Sequence, residues 1–498
     1  MLDIVLDVVT STLAAAINVD DFRHHFLWAL IVGICLAFLL GFGMGANDVS
    51  NAFGTSVGSG ALTLIQAYLL ATIFETLGAV LVGYNVIDTM RKGVVDVAVY
   101  NNSAGDFLIG QVSALGGTAT WLLIATFLHL PVSTTHAVVG ATLGYSIACK
   151  GFQGIQWMMV VNIVASWFIS PIFSGCVSLS LYLFVDHSNP VTNGLMWLPI
   201  FYFVCLTFNM FMISYQGSKV LHLSTVPLWI AILISLAAGI IAAGVCHFLI
   251  VPSIRKYIAK GKQADTRQSI ASSVVISVTE DPEIDKVAIR SGSTTTCSSD
   301  SDSNSVQSPP APPGSEQICI SHEGDIESSE EVYHMAPTGQ RPNRKSGHIE
   351  NVHFSANIDS LLCWFRSRSQ RCLKKETPLY VLLYGVLAIC VGLWCLGHKV
   401  IRTVGTKMSE VNPASGFCIE FGAAVTALLA SKLGLPISTT HCLVGAVVAV
   451  GSVKGGKSID WGLFRNVAFS WVVTLPVAGG FAALYMWLLH FTIPPQYA

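Results

Sequence analysis

Long apolar segments recur along this chain and constrain its fold more than any other feature. They occupy residues 26–46, 61–86, 107–130, 131–149, 155–185, 195–214, 226–251, 379–398, 416–434, 436–453 and 461–492. A helix of roughly 20 mostly apolar residues crosses the hydrocarbon core of a bilayer, so the chain has room for about ten spans. The sequence therefore predicts an all-α, polytopic helical membrane protein.

Charged residues are scarce in these segments. The chain has 27 Lys and Arg and 29 Asp and Glu, which is 11% of its 498 residues. A typical soluble protein carries about 25%. Of these 56 charges, 31 lie within residues 252–377, which leaves 25 for the other 372 residues. Those 372 residues cannot form a water-soluble surface. The net charge of −2 and the lack of a basic cluster in the apolar segments argue against nucleic-acid binding.

Residues 252–377 are rich in serine, contain many prolines, and cannot bury enough apolar surface to fold. We predict that they form a long disordered linker. Basic residues flank it at 255–262 and 366–375, which makes it cytoplasmic by the positive-inside rule. The predicted organisation is an N-terminal segment (1–25), transmembrane repeat 1 (26–251), the disordered cytoplasmic linker (252–377) and an incomplete transmembrane repeat 2 (378–498).

The cysteines and the loops give weaker signals. Most of the 13 cysteines lie in apolar segments and none forms a CxxC pair, so we interpret them as packing residues.

The first 25 residues lack a basic region, so a cleaved signal peptide is not expected. Asn101 begins an Asn-x-Ser acceptor sequence, which predicts glycosylation outside the membrane. The five apolar segments between Asn101 and Lys256 place these residues on opposite sides.

An internal repeat divides the chain into two related halves. Residues 130–141 read LPVSTTHAVVGA and residues 435–446 read LPISTTHCLVGA, with nine identities in twelve positions. The similarity continues in SWFISPIFSG (166–175) and SWVVTLPVAGG (470–480). Two such halves joined by a long linker are typical of secondary transporters with inverted repeats, whose substrate site lies between the repeats near the midplane.

The repeated element has a chemical interpretation. A proline ends the preceding element, and the run Ser133, Thr134, Thr135 or Ser438, Thr439, Thr440 then supplies hydroxyls where a helix can begin. Hydroxyls and the free N–H groups of a helix N-terminus together form a site for an oxyanion. The alternative is a pair of ordinary helix N-caps. We interpret the following histidines, His136 and His441, as hydrogen-bonded packing residues.

A glycine-rich stretch, Gly41–Gly60, contains Asn47, Asp48 and Asn51 in an apolar context. We expect its six glycines to break the helix and to expose carbonyls beside one carboxylate and two amides. Such oxygen ligands suit Na⁺, or Asp48 could carry a proton. The alternative is that the glycines serve close helix packing.

Three acidic residues lie within apolar segments without a basic residue at comparable depth: Asp48, Glu75 and Glu420. An acid at the centre of a span costs about 2.5 to 3.5 kcal/mol on insertion scales when nothing compensates its charge. Cation binding or protonation would remove that cost. The sequence therefore indicates functional rather than structural acids.

Several motifs together resemble the PiT family of inorganic phosphate transporters. They are GANDVSNAFGTSVGSG (45–60), IFET (73–76), RKGVVDV (91–97), SWFISP (166–171) and PISTTHCLVG (436–445). The resemblance implies sodium-coupled symport of inorganic phosphate at the plasma membrane of an animal cell, through two inverted repeats around a central site. It implies no enzymatic activity and no cofactor, with Na⁺ as the co-transported ion and the lipid bilayer as the surroundings. Homo-oligomerisation stays open.

The resemblance and the residue chemistry together assign two groups of site residues. The expected phosphate-binding residues are Ser133, Thr134, Thr135, Ser438, Thr439, Thr440 and Asn47. The expected cation-binding or coupling residues are Asp48, Asn51, Glu75 and Glu420, with sodium at Asp48 and Asn51. Because the repeats are inverted, we expect Thr134 and Thr439 to lie on opposite sides of one central cavity.

The chain departs from the family pattern at one place. Animal members carry a second Gly-Gly-Asn-Asp-Val-Ser-Asn helix before the segment that matches Pro378 onward, whereas here residues 360–383 run straight through. Basic clusters on both sides of 379–398 support a lost crossing. We expect 379–398 to insert poorly, or 361–365 to be drawn in as a hairpin, while 416–492 keeps family-like packing. The alternative function is a non-transporting or regulatory form of such a transporter.

Overall fold

A computed structural model describes residues 2–91, 94–101, 103–186, 190–215, 226–259, 362, 378–432, 437–454 and 459–497. Its helices are α1 (Leu2–Gly58), α2 (Leu64–Arg91), α3 (Ala104–Phe127), α4 (Thr134–Lys150), α5 (Trp157–Asp186), α6 (Pro190–Ser214), α7 (Leu228–Val245), α8 (Leu379–Arg402), α9 (Pro413–Lys432), α10 (Thr439–Val453) and α11 (Trp461–His490). Within these residues, nine helices are long and apolar enough to cross a membrane. The all-α membrane fold is confirmed.

The helix boundaries follow the apolar segments closely except at α1, which extends beyond residues 26–46 at both ends. The apolar helix that starts with α7 continues through Ala259, so the first residues assigned to the linker are helical. The rest of that predicted linker lies outside the described residues, apart from Leu362. Leu362 packs against the larger hydrophobic core.

Four of the helices form two helical hairpins. We call α3, α4 and their connection hairpin 1, and α9, α10 and their connection hairpin 2. An isolated β-bridge joins Val95 to Ile155 across the base of hairpin 1, and a second joins Ser409 to Ile459 across the base of hairpin 2. The start and the end of each hairpin therefore lie next to each other at its base.

The two hairpins enter the bundle from opposite ends. The main-chain N–H of Asp460, just before α11, donates to the Met408 carbonyl at the base of hairpin 2 (3.1 Å). At the other end of α11, His490 Nδ1 lies 3.5 Å from Asp106 Oδ1 at the base of hairpin 1. A helix of 30 residues is about 45 Å long, and that length separates the two bases. We call these the Tyr100 end, with hairpin 1, and the Gly58 end, with hairpin 2.

The tips of the hairpins meet inside the bundle. The Thr440 hydroxyl, at the start of α10, donates to the Val132 carbonyl in the tip of hairpin 1 (3.3 Å). Irregular backbone at this depth is tolerated because it is buried in protein. Hairpin 1 therefore returns to the end that it entered, which leaves the predicted odd parity between Asn101 and Lys256 unchanged. The count of five crossings stays a prediction.

Each hairpin packs on a long helix of the opposite repeat. In hairpin 1, Gly144 lies against Gly479 of α11, and a Cβ on Gly117 would meet the backbone of Ala482 at 2.6 Å. In hairpin 2, Gly445 lies against Pro171 of α5 in the same way. The small residues let the helix backbones approach closely. The two repeats are therefore interlocked.

Helix α1 is continuous from Leu2 to Gly58, so the predicted break at the glycine-rich stretch is wrong. The glycines serve the alternative role, helix packing. Gly45 lies directly against the backbone of Ile389, and Gly58 against that of Gly405. A side chain at Gly45 would collide with α8, and one at Gly58 with the helical turn that follows α8 at Thr403–Lys407, which explains these two glycines without any unwinding.

Helix α8 runs parallel to α1 from the Tyr100 end to the Gly58 end. The Tyr384 hydroxyl donates to the Ile34 carbonyl (2.7 Å) near its start, and Gly392 packs against Phe42 farther along. Residues 379–398 are therefore packed along α1, and the expectation that they insert poorly into the membrane stays a prediction. The alternative at residues 361–365 lies outside the described residues except for Leu362.

Candidate functional site

Polar side chains follow one side of α1 where it passes the two hairpin tips. Asn47, Asp48, Asn51 and Thr55 are all nearly buried, with at most 6% of each residue exposed. Residues three and four apart lie on the same face of a helix, so Asp48, Asn51 and Thr55 form one row. The α1 helix thus brings this row to the interior between the hairpins.

The Asn47 side chain fixes the tip of hairpin 1. Its Nδ2 group donates to the Leu130 carbonyl (3.0 Å) and to the Thr126 hydroxyl (3.2 Å), and its Oδ1 accepts from the Val132 N–H (3.0 Å). These bonds satisfy backbone groups that the tip leaves outside any helix. Asn47, expected to bind phosphate, holds the tip that carries the hydroxyls.

Asn51 connects the carboxylate of α1 to the tip of hairpin 2. Its Nδ2 group donates to Asp48 Oδ1 (3.3 Å) and to the Thr440 hydroxyl (2.9 Å). The Thr440 hydroxyl in turn donates to Val132 of hairpin 1. A chain of hydrogen bonds therefore runs from Asp48 through Asn51 and Thr440 to the other tip.

The six predicted hydroxyls lie at the starts of α4 and α10, and all are at least 95% buried. The Ser133 and Ser438 hydroxyls accept from the N–H groups of His136 and His441 (3.4 Å each). The N-cap alternative is thus confirmed for both serines. A serine that accepts in this way still has its own O–H to donate. The expected convergence of the two runs is supported by the contact between the tips.

The predicted acids separate into two places. Asp48 and Glu75 line the same small cavity, with Gly45 and Ile389 also in its wall. Its volume of about 20 Å³ is enough for one water molecule. Na⁺ binds oxygen ligands such as these carboxylates.

Glu420, in hairpin 2, lies beside the last turns of α1 instead. Its carboxylate accepts from the Thr55 hydroxyl (2.6 Å), the Ser56 hydroxyl (2.8 Å) and the Ser56 N–H (3.0 Å). Sequence reasoning missed Thr55 and Ser56 as partners. The available signal was two hydroxyl residues one turn after Asn51 on a helix that already carried the other site residues.

The two repeated histidines contact each other behind the tips. Their ring centroids are 4.8 Å apart, and both residues are fully buried. The Trp167 indole N–H donates to His136 Nε2 (3.1 Å), as the packing interpretation predicts. The His441 ring nitrogens have no hydrogen-bond partner within the described chain, and that ring packs edge-on against Trp471 (3.8 Å between centroids).

Two predicted residues, Asn101 and Asn51, remain to be placed. Asn101 is exposed at the Tyr100 end. The Asn51 Oδ1 atom is buried and has no hydrogen-bond partner among the described residues, so it can serve as a cation ligand. Those residues contain no cluster of three or more His, Cys, Asp or Glu suited to a metal ion. A sodium site would therefore combine carboxylate, amide, hydroxyl and main-chain oxygens.

A protein family, curated relatives and a solved structure are similar to this chain. Residues 44–482 match the Phosphate transporter family. The chain is 32% identical to sodium-dependent phosphate transporter 1-A of Danio rerio, covering 97% of this chain and 98% of the relative. It is 33% identical to sodium-dependent phosphate transporter 2 of Xenopus tropicalis, covering 95% and 99%. A solved structure described as the sodium-dependent phosphate transporter superimposes with a TM-score of 0.69 at 27% identity, covering 93% of this chain and 100% of that chain.

Proposed function

This chain belongs to the phosphate transporter family, and we propose that it couples the uptake of inorganic phosphate to that of Na⁺ across the plasma membrane. The observation that carries the proposal is the meeting of two hydroxyl-bearing hairpin tips beside the row of Asp48, Asn51 and Thr55 on α1. It is a transporter and not an enzyme, so no catalytic residues, cofactor or covalent step are assigned.

Phosphate binds between the hairpin tips in this proposal. Ser133, Thr134 and Thr135 face it from α4, and Ser438, Thr439 and Thr440 from α10. Hydroxyls and helix N-termini can surround an oxyanion without a fixed positive charge. Asn47 contributes by holding the first tip through its bond to Val132. The positive ends of two helices favour a multiply charged anion over a neutral solute.

Sodium binds at Asp48 and Asn51, with Glu75 across the cavity and Glu420 at the end of α1. A cation beside Asp48 would draw its carboxylate toward the ion, and Asn51 joins that carboxylate to Thr440. Sodium binding would then affect Thr440 at the phosphate site through a short chain of hydrogen bonds. That chain is the physical basis of coupling in this proposal.

The alternative is a non-transporting form that regulates related transporters. It is favoured by the absence of a second Asn-Asp motif in the sequence of repeat 2, so one repeat lacks the counterpart of α1. The alignment with the Danio rerio relative extends over 640 positions, more than the 498 residues of this chain. The relative therefore carries segments that this chain lacks.

Uptake of radiolabelled phosphate by vesicles containing the purified chain tests the proposal. We expect uptake that requires an inward Na⁺ gradient and is absent when choline replaces sodium. Empty vesicles give the background. Normal insertion of the chain with no sodium-dependent uptake would refute transport and leave the regulatory form.

A further inference from the structure

The tip of hairpin 1 has an outer side that the proposed site does not use. Phe127 and Leu128 are 54% and 60% exposed there, although the inner side of the same tip is bonded to Asn47. His129 is also exposed. Asn47 lies eleven residues before Gly58 on α1, which is about 16 Å of helix. This exposed surface is therefore deep in the bundle, on the side facing the Gly58 end.

A lysine occupies that surface. The Lys399 ammonium, from α8, lies 4.7 Å from the centroid of the Phe127 ring, a cation–π contact. Within the described chain it has no carboxylate partner at salt-bridge distance, whereas Lys150 has one in Asp106. A charged residue at this depth faces the bundle interior or a water-filled cavity rather than lipid. Lys399 thus marks an aqueous opening that reaches the tip of hairpin 1.

The backbone at His129 points to a side-chain role at the same opening. His129 has a φ of 59°, in the left-handed region that favours glycine at the C-terminus of a helix. The other repeat carries Gly434 at the matching sequence position. Hairpin 1 therefore keeps an imidazole where glycine is conformationally easier. A strained residue of this kind is a reason to look for function.

We propose that Lys399 and His129 form an anion-binding vestibule through which phosphate passes between the Gly58 end and the hydroxyls of the two tips. The inference rests on the proposed function, since it assigns an approach route to that same site. An ammonium without a counter-ion attracts a multiply charged anion. The ligand class is an oxyanion of the phosphate type, which free phosphate or a lipid headgroup could supply.

The vestibule can be tested by labelling beside Lys399. In a cysteine-free variant carrying His129→Cys, the H129C thiol is labelled with a water-soluble reagent in phosphatidylcholine vesicles. We expect labelling from the Gly58 end, slowed severalfold by added inorganic phosphate. Lys399→Met should abolish this protection, whereas Lys399→Arg should keep it. Lys454→Met is the matched control, since Lys454 also lies at the Gly58 end, where it donates to the Glu410 carbonyl (2.8 Å).

A second measurement does not depend on the cysteine-free background. His129→Gly suits the left-handed backbone, so the variant should fold at least as well as the natural chain. We expect His129→Gly and Lys399→Met each to weaken phosphate binding roughly tenfold, about 1.4 kcal/mol, in equilibrium dialysis of the purified protein. Unchanged affinity in both variants would overturn the proposal.

The remaining outcomes separate the two hypotheses and the two ligand sources. Sodium-driven uptake without phosphate protection of the H129C thiol would overturn the vestibule and leave the proposed function standing. Protection without any uptake would support the vestibule and count against transport. Protection by anionic phospholipid in the vesicles, but not by inorganic phosphate, would show that the site binds a headgroup and would overturn the approach route.

Discussion

The hydroxyl of Thr440 donates to the main-chain oxygen of Val132 over 3.3 Å, although 308 residues separate the two in the sequence. The same hydroxyl accepts from the Asn51 amide (2.9 Å). One side chain therefore holds together both hairpin tips and α1. Three elements that bind ligands in the proposed mechanism share this junction.

Replacing Thr440 by valine should break that junction while preserving side-chain shape. It leaves the Val132 carbonyl and the Asn51 amide without their partner, which costs about 1–3 kcal/mol of stability. We expect a lower unfolding temperature and a loss of phosphate uptake, with Thr440→Ser close to the natural protein. Thr142→Val is the matched control, because among the described residues the Thr142 hydroxyl donates to the Val138 carbonyl of its own helix (2.8 Å). Equal effects of T440V and T142V would contradict the prediction.

All three acids should be required for sodium-driven uptake, although they lie in two different places. Asp48→Asn and Glu75→Gln alter the cavity that the two carboxylates share, so we expect each to abolish sodium-driven uptake. Glu420→Gln should also abolish uptake, since its carboxylate accepts hydrogen bonds from the Thr55 hydroxyl and from the hydroxyl and N–H of Ser56. Uptake is best measured in a version with a second Asn-Asp helix restored, alongside surface expression. Full uptake with all three amides would contradict the assignment.

Glycine at the contact of α1 and α8 should be irreplaceable. Gly392 lies directly against the backbone of Phe42, so Gly392→Ala forces the helices apart. We expect a clear fall in the unfolding temperature of the purified protein. A Cβ on Gly480 of α11 would meet nothing within 4 Å, so Gly480→Ala should be neutral, or stabilising by up to about 1 kcal/mol. A harmless G392A variant would refute the packing role.

A buried ion pair closes the base of hairpin 1. Lys150 Nζ lies 2.7 Å from Asp106 Oδ2, whose side chain is 3% exposed. Removing one partner of a buried pair costs about 3–5 kcal/mol, and the lower end applies because Lys150 is partly exposed. Asp106→Asn should therefore lower the unfolding temperature, whereas Arg23→Gln, at an exposed pair, should not. Similar unfolding temperatures for the two variants would count against a structural role of Asp106.

The two ends of the bundle should be reached from opposite sides of the membrane. His490 is exposed at the Tyr100 end, and Lys407 is exposed beside the base of hairpin 2. In a cysteine-free variant, we expect cysteines at these two positions to react with an impermeant reagent from opposite faces. Replacing Asn101 by Gln should remove any attached glycan at the His490 side. Labelling of both positions from one face would contradict the inverted arrangement.

The spans and the two serine caps could be predicted because they depend on local features. Apolar length determines a span wherever it lies in the chain, and Ser133 and Ser438 precede their helices in the pattern of an N-cap. The predicted helix break at the glycine-rich stretch is wrong because the role of these glycines depends on a long-range contact. Whether Gly45 ends a helix or packs against one depends on Ile389, hundreds of residues away, and no local pattern records that contact.

The site residues also separate into those that local sequence features identify and those that only long-range contacts identify. Asp48, Glu75 and Glu420 stood out because acids are rare in apolar segments, yet their separation into a cavity and a hydrogen-bonded cluster came only from the fold. In the sequence, Thr55 and Ser56 look like ordinary residues of a polar stretch. Only their contacts with Glu420 in the fold show their role. The pair Asp106 and Lys150 was missed because it lies at segment ends, where charges are common.

The packing of hairpin 1 on α11 has a consequence for biosynthesis. The ribosome completes hairpin 1 at residue 150, whereas α11 ends at residue 490. At translation rates of 5–20 residues per second, the remaining 340 residues take on the order of 20–70 s. Throughout that interval α1 can already hold the tip through Asn47, but the side of the nascent hairpin that packs on α11 has no partner helix to cover it. The translocon or a membrane chaperone must shelter it until the last helix is released.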